Sequence, residues 1–68
     1  MLSDRQVRIL QLLSEGMKHN EIEALVFRSR QTVELDMRVI KGTMKARNMT
    51  HAVAMALLTG VITGPKIG

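Results

Sequence analysis

Apolar residues along the 68-residue chain fall into four clusters, each with helical spacing. In the first, Ile9, Leu10, Leu12 and Leu13 share one side of a helix predicted over residues 3–15. Ser3 is placed to cap it, and Gln6 three positions on completes a capping-box pattern. Asp4 suits the positive end of the helix dipole. Val7 lies off the apolar side, and Gly16 is a natural left-handed stop. A short connection, Met17 to Asn20, leads into a second helix whose buried side is Ile22, Leu25 and Val26. Phe27, the sole aromatic residue, is expected to pack in the turn that follows.

The third cluster is the most regular. Over residues 29–47, Val33, Met37, Ile40 and Met44 are spaced 4, 3 and 4, which keeps them on one narrow stripe. Opposite them lie Arg30, Gln31, Glu34, Leu35, Arg38, Lys41 and Lys45, a mixed and mostly cationic face. Ser29 is the expected N-cap. Gly42 inside this helix costs about 1 kcal/mol against alanine. It signals either the close approach of a neighbouring helix or a weak last turn. Two helices joined by about three residues, the second cationic on its free face, have the layout of a helix-turn-helix.

The fourth cluster, residues 50–59, is apolar all the way round, from Ala52 through Leu58, with Asn48 or Thr50 as its cap. Such a helix expects burial on two sides: one against the core, the other against a second copy of the chain. Ala52, Met55, Ala56, Leu58 and Thr59 are the candidate dimer contacts. The competing reading is an ordinary last helix with a few exposed alkyl groups. Gly60 marks its stop. The pattern divides the chain into a domain over residues 1–62 and a flexible tail over 63–68, with no internal repeat or linker.

Composition narrows the classes. A domain this small buries only about 60% of the surface its unfolded chain exposes, so its stability is marginal unless a partner adds burial. There is no cysteine, hence no disulfide framework and no thiolate metal site. His19 and His51 stand apart from any ligand cluster and read as surface or capping residues, so no metal and no cofactor is expected. The chain carries no nucleophile–base pair and no phosphate-cradling glycine loop, so an enzyme is not expected. No secretory pattern opens the chain, and its most apolar stretch is about half of what spans a bilayer. A cytoplasmic protein without a membrane partner is the expectation.

The formal charge of +4 is unevenly placed. Residues 1–27 carry Arg5, Arg8 and Lys18 against Asp4, Glu15, Glu21 and Glu23, a net −1. Residues 28–47 carry Arg28, Arg30, Arg38, Lys41, Lys45 and Arg47 against Glu34 and Asp36, a net +4. The excess cation therefore sits on the third helix and its entry turn, as a polyanion partner requires. Charge alone is equally compatible with a solvated helix face.

Leu2-Ser3-Asp4-Arg5-Gln6, Ile9-Leu10-Gln11-Leu12, Gly16, Glu21-Ile22, Ser29-Arg30-Gln31-Thr32-Val33, Ile40, Asn48-Met49-Thr50-His51-Ala52-Val53 and Gly60-Val61-Ile62 together resemble the LuxR/GerE-type helix-turn-helix domain. The resemblance runs from residue 2 to 62 without a gap. It implies an all-α, four-helix domain in which the third helix enters the major groove and the fourth makes the dimer contact. Family members often carry an N-terminal receiver or ligand-binding domain. Here residue 1 is already at the first helix, so the chain is expected to be a stand-alone regulator or an excised domain.

Some positions depart from the family. Lys is common where this chain has Glu34, His where it has Asp36, Lys or Arg at Thr43 and Arg at Met49. These changes remove cations or add carboxylates near where phosphates would lie, and each lost phosphate contact lowers the salt slope by about one unit. Glu23 and Arg28 stand where the family buries apolar side chains, and they are expected to pair with each other across the turn.

The resulting expectation is a sequence-specific regulator of double-stranded DNA, dimeric through the fourth helix. Arg30, Gln31 and Arg38 are placed to reach base edges. Leu35 would touch a thymine methyl; Glu34 would either accept from a cytosine amino group or only tune specificity by repelling phosphates. Asn20, Thr32, Lys41 and Lys45 would contact phosphates, although Thr32 has a competing role as a partner of Ser29. The alternative function is a protein-binding antagonist that pairs with another LuxR-type regulator and blocks its DNA binding.

Overall fold

The computed structural model describes residues 1–64. It contains α1 (Asp4–Ser14), α2 (His19–Val26), α3 (Arg30–Met44) and α4 (Met49–Thr59). α1 packs against each of the other three helices, and α3 also touches α2 and α4. The core is apolar: Ile9, Leu10 and Leu12 from α1, Ile22 and Val26 from α2, Val33, Met37 and Ile40 from α3, Ala52 and Ala56 from α4, closed by Ile62.

Local chemistry sets the helix starts. Ser3 Oγ accepts from Gln6 N at 3.2 Å while Gln6 Oε1 accepts from Ser3 N at 2.9 Å, a complete capping box. α2 has only half of that arrangement, because Lys18 N donates to Glu21 Oε1 at 2.9 Å but a lysine side chain cannot accept in return. Ser29 Oγ accepts from Thr32 N, and Asn48 Oδ1 from His51 N.

The stops are left-handed. Gly16 follows α1 and Gly60 follows α4, both at positive φ. Phe27 and Lys45, at φ 56 each, do the same for α2 and α3 without being glycine. At both, a backbone N–H reaches back five residues, from Arg28 to the Glu23 carbonyl and from Ala46 to the Lys41 carbonyl. These are Schellman closures that satisfy the last turn.

Several expectations need correction. α3 ends at Met44, so Lys45 is its left-handed cap and not a member of its helical face. Phe27 does not pack in the turn: it is 84% exposed, because the left-handed backbone swings it outward. Leu25 is exposed as well, and Val7 packs against the core edge. Ala52 and Ala56 are fully buried inside the chain, so they offer no surface to a second copy. They lie against the molecule's own core because their small side chains let α4 come close. Thr63, the first residue of the expected tail, is bonded back to α1. Its N–H donates to Gln11 Oε1 and its carbonyl accepts from Gln11 Nε2 at 2.8 Å. The remainder of that predicted tail, residues 65–68, lies outside the described residues.

Candidate nucleic-acid interface

α3 is fixed by its buried side. Val33, Met37 and Ile40 enter the core, with Met44 packed at its edge. Asp36 joins them at 4% exposure, one step round the helix. Its carboxylate accepts from Arg5 Nε at 2.6 Å, Arg5 Nη2 at 3.1 Å and Gln6 Nε2 at 3.3 Å. The Arg5 hydrogen bonds hold the Asp36 carboxyl below the ordinary carboxylate range, against the opposing effect of burial, and they raise Arg5 in turn. Asp36 is therefore a strut between α3 and α1. The expectation that it faces phosphates is wrong, because its side chain points to the opposite side of the helix.

That anchoring leaves the other side of α3 free. Arg30, Gln31, Glu34, Leu35 and Arg38 are exposed, and Lys41 is half-buried at the margin. Arg30 Nε and Glu34 Oε1 form an ion pair of 3.0 Å one turn apart. This pair neutralises one cation of the face and raises the Arg30 guanidinium further. Arg38, Lys41 and Lys45 have no ion-pair partner among the described residues. The uncompensated charge is thus toward the middle and C-terminal end of the helix, not at its start.

The other proposed contacts divide. Thr32 is half-buried, and its Oγ1 lies 3.1 Å from Ser29 Oγ, so the first-turn role is present in the structure. Asn20 is exposed on the first turn of α2. The expected Glu23–Arg28 pair does not form. Glu23 is half-buried and acts on Arg30, whereas exposed Arg28 acts on Asp36 and donates to the Phe27 carbonyl at 3.0 Å. The turn places the two side chains toward different neighbours.

Val39 is exposed on α3 and lies outside both faces read from the sequence. The signal for Val39 was its position one turn after Leu35. On α4, Leu58 is 87% exposed and Met55 half-buried, with Thr59 exposed but bonded to the Met55 carbonyl at 2.8 Å. Ala54, Leu57 and Val61 extend that apolar surface. Met49 packs at the core edge, which gives its apolar side chain an internal use. His51 Nδ1 accepts from Arg47 N at 3.1 Å and so closes the turn before α4.

Two helices joined by the three-residue turn Phe27-Arg28-Ser29, the second anchored on one side and cationic on the other, make a helix-turn-helix DNA-binding domain. The sequence profile of the family described as "Bacterial regulatory proteins, luxR family" matches residues 1–56. The chain belongs to this LuxR family, a class of DNA-binding regulators and not of enzymes. A search of curated proteins returns no match. No described helix is long and apolar enough to cross a membrane.

Proposed function

We propose that the chain is a sequence-specific transcription regulator that binds double-stranded DNA through α3 in the major groove and dimerises through the exposed side of α4. The observation that carries this is the free face of α3, with Gln31, Arg38, Lys41 and the cap Lys45 presented on a helix anchored from behind by Asp36 and Arg5. Gln31 and Arg38 read base edges, and Arg30 joins them when DNA displaces it from Glu34. Leu35 meets a thymine methyl, and Glu34 a cytosine amino group. Lys41, Lys45, Thr32 and Asn20 hold phosphates and set the register. Leu58, Met55 and Thr59 lie on the side that faces a second copy, so a two-fold dimer would read two half-sites. The chain acts in the cytoplasm, where such DNA is found.

The Arg30–Glu34 pair and the apolar side of α4 together favour one second reading, an antagonist that pairs with another LuxR-type regulator. A titration of labelled random duplex at two salt concentrations separates them. Binding that weakens steeply with salt supports the regulator. No binding at low salt removes it.

Within the interface, substitutions should sort the roles. Lys41→Ala should weaken all duplexes alike and lower the salt slope by about one unit, whereas Arg38→Ala should cost about 1–3 kcal/mol on a selected site and relax its sequence.

A further inference from the structure

Gly42 lies on α3 with its Cα exposed and with no positive φ. A β-carbon built on it meets nothing within 4 Å. The two reasons for which a fold requires glycine, a left-handed backbone or the close approach of another element, are therefore both missing among the described residues. Glycine in a helix is nonetheless destabilising relative to alanine. Gly42 makes the last turn of α3 a weak one, with no compensating contact among the described residues.

Its position points outward. Gln31, Leu35, Arg38 and Gly42 are spaced 4, 3 and 4. This repeats the spacing of the buried stripe Val33, Met37, Ile40 and Met44, displaced by two residues, or about 200° around the helix. All four are exposed and form the ridge opposite the core. Three of them project long side chains; at Gly42 the ridge drops to bare backbone. A helix with its side chains is about 10–12 Å across, and the major groove is about 12 Å wide. The depth to which the far end of α3 enters is therefore set by the side chain it carries there.

We propose that Gly42 is a contact position of the nucleic-acid interface, at which the bare backbone of α3 meets the duplex. The helix then lies in the groove along the whole ridge from Gln31 to Gly42, instead of entering by its first two turns. This inference rests on the reading of α3 as the DNA-contacting helix. The ridge is roughly 16 Å long at 1.5 Å per residue.

The test compares the full chain with Gly42→Ala and Gly42→Leu. Thermal melting is measured beside anisotropy titration against random duplex and against duplex recovered by selection. Gly42→Ala should melt about 4–8 °C higher, as relief of the helix penalty in a domain of this size requires. It should also bind the selected duplex several-fold more weakly, and Gly42→Leu roughly tenfold or more. A rise in stability with a fall in affinity is a combination that a purely structural glycine does not produce. Unchanged affinity in both variants overturns the proposal. So does a change in sedimentation for Gly42→Leu with unchanged affinity, which would assign Gly42 to a contact between protein chains. If the unsubstituted chain binds no duplex at low salt, the reading of α3 itself fails, and this inference with it. That outcome is visible before any variant is compared.

Discussion

The carboxylate of Asp36, on the inner side of α3, is gripped by the guanidinium of Arg5 on α1 through hydrogen bonds of 2.6 and 3.1 Å. The two residues are 31 positions apart. They tie α3 to α1, the two helices that each touch every other. Replacing Asp36 with alanine leaves the buried Gln6 amide short of an acceptor, and it should destabilise the domain by about 1–3 kcal/mol in a denaturant titration.

The same pair makes an acid prediction. Asp36 is depressed in the folded state, so its contribution is complete above the unfolded carboxyl value, ordinarily 3.8. It is lost as pH falls from there through the lower folded value. The stability gap between the unsubstituted chain and Asp36→Asn should stay constant at neutral pH and narrow only below about pH 4. A gap that closes near pH 6 would implicate some other group.

Phe27 holds a left-handed backbone with its ring in water. That conformation penalises residues with a β-carbon by about 1–2 kcal/mol, and asparagine tolerates it better than most. Phe27→Asn should therefore melt no lower than the unsubstituted chain, and up to several degrees higher. A large drop in melting temperature would mean that the ring has a packing partner.

Glu34 should restrain affinity. Its ion pair with Arg30 occupies a cation on the exposed face. Glu34→Gln should tighten binding to random duplex and steepen its salt slope by about one unit, since on a duplex with no preferred bases to read the freed Arg30 can meet a phosphate instead. An unchanged slope would show that Arg30 never reaches the backbone of the duplex.

Leu58 tests the dimer. It is the most exposed large apolar residue of α4. Leu58→Glu should shift sedimentation from dimer to monomer while leaving the helical circular dichroism intact, because little of its side chain is buried within the fold. A monomer before substitution would remove the α4 contact altogether.

Much of this was legible in the sequence because it depends on short-range chemistry. The Ser3–Gln6 box, the Ser29 and Asn48 caps and the glycine stops each act within a few residues. The 4, 3, 4 spacing of Val33, Met37, Ile40 and Met44 identified the inner side of α3 correctly. Asp36 was misplaced because its charge outweighed its position. Standing three after Val33 and four before Ile40, it belongs on the same side as both, and a buried carboxylate there needs a cation from elsewhere in the fold. Ala52 and Ala56 could not be oriented, since a helix apolar on every side has no contrast to read. The Glu23–Arg28 pair failed for a different reason: sequence proximity across a turn says nothing of which way the turn throws each side chain.

The two left-handed stops that are not glycine, Phe27 and Lys45, stand at either end of α3. Gly16 and Gly60 serve α1 and α4 without strain. The least favourable backbone in the molecule thus brackets one helix, while Met37, Ile40 and the Arg5 strut clamp that helix at its waist. Backbone strain thus lies just outside the helix and its packing lies within it, so amide exchange should begin at its two tips and reach the Met37–Ile40 waist last.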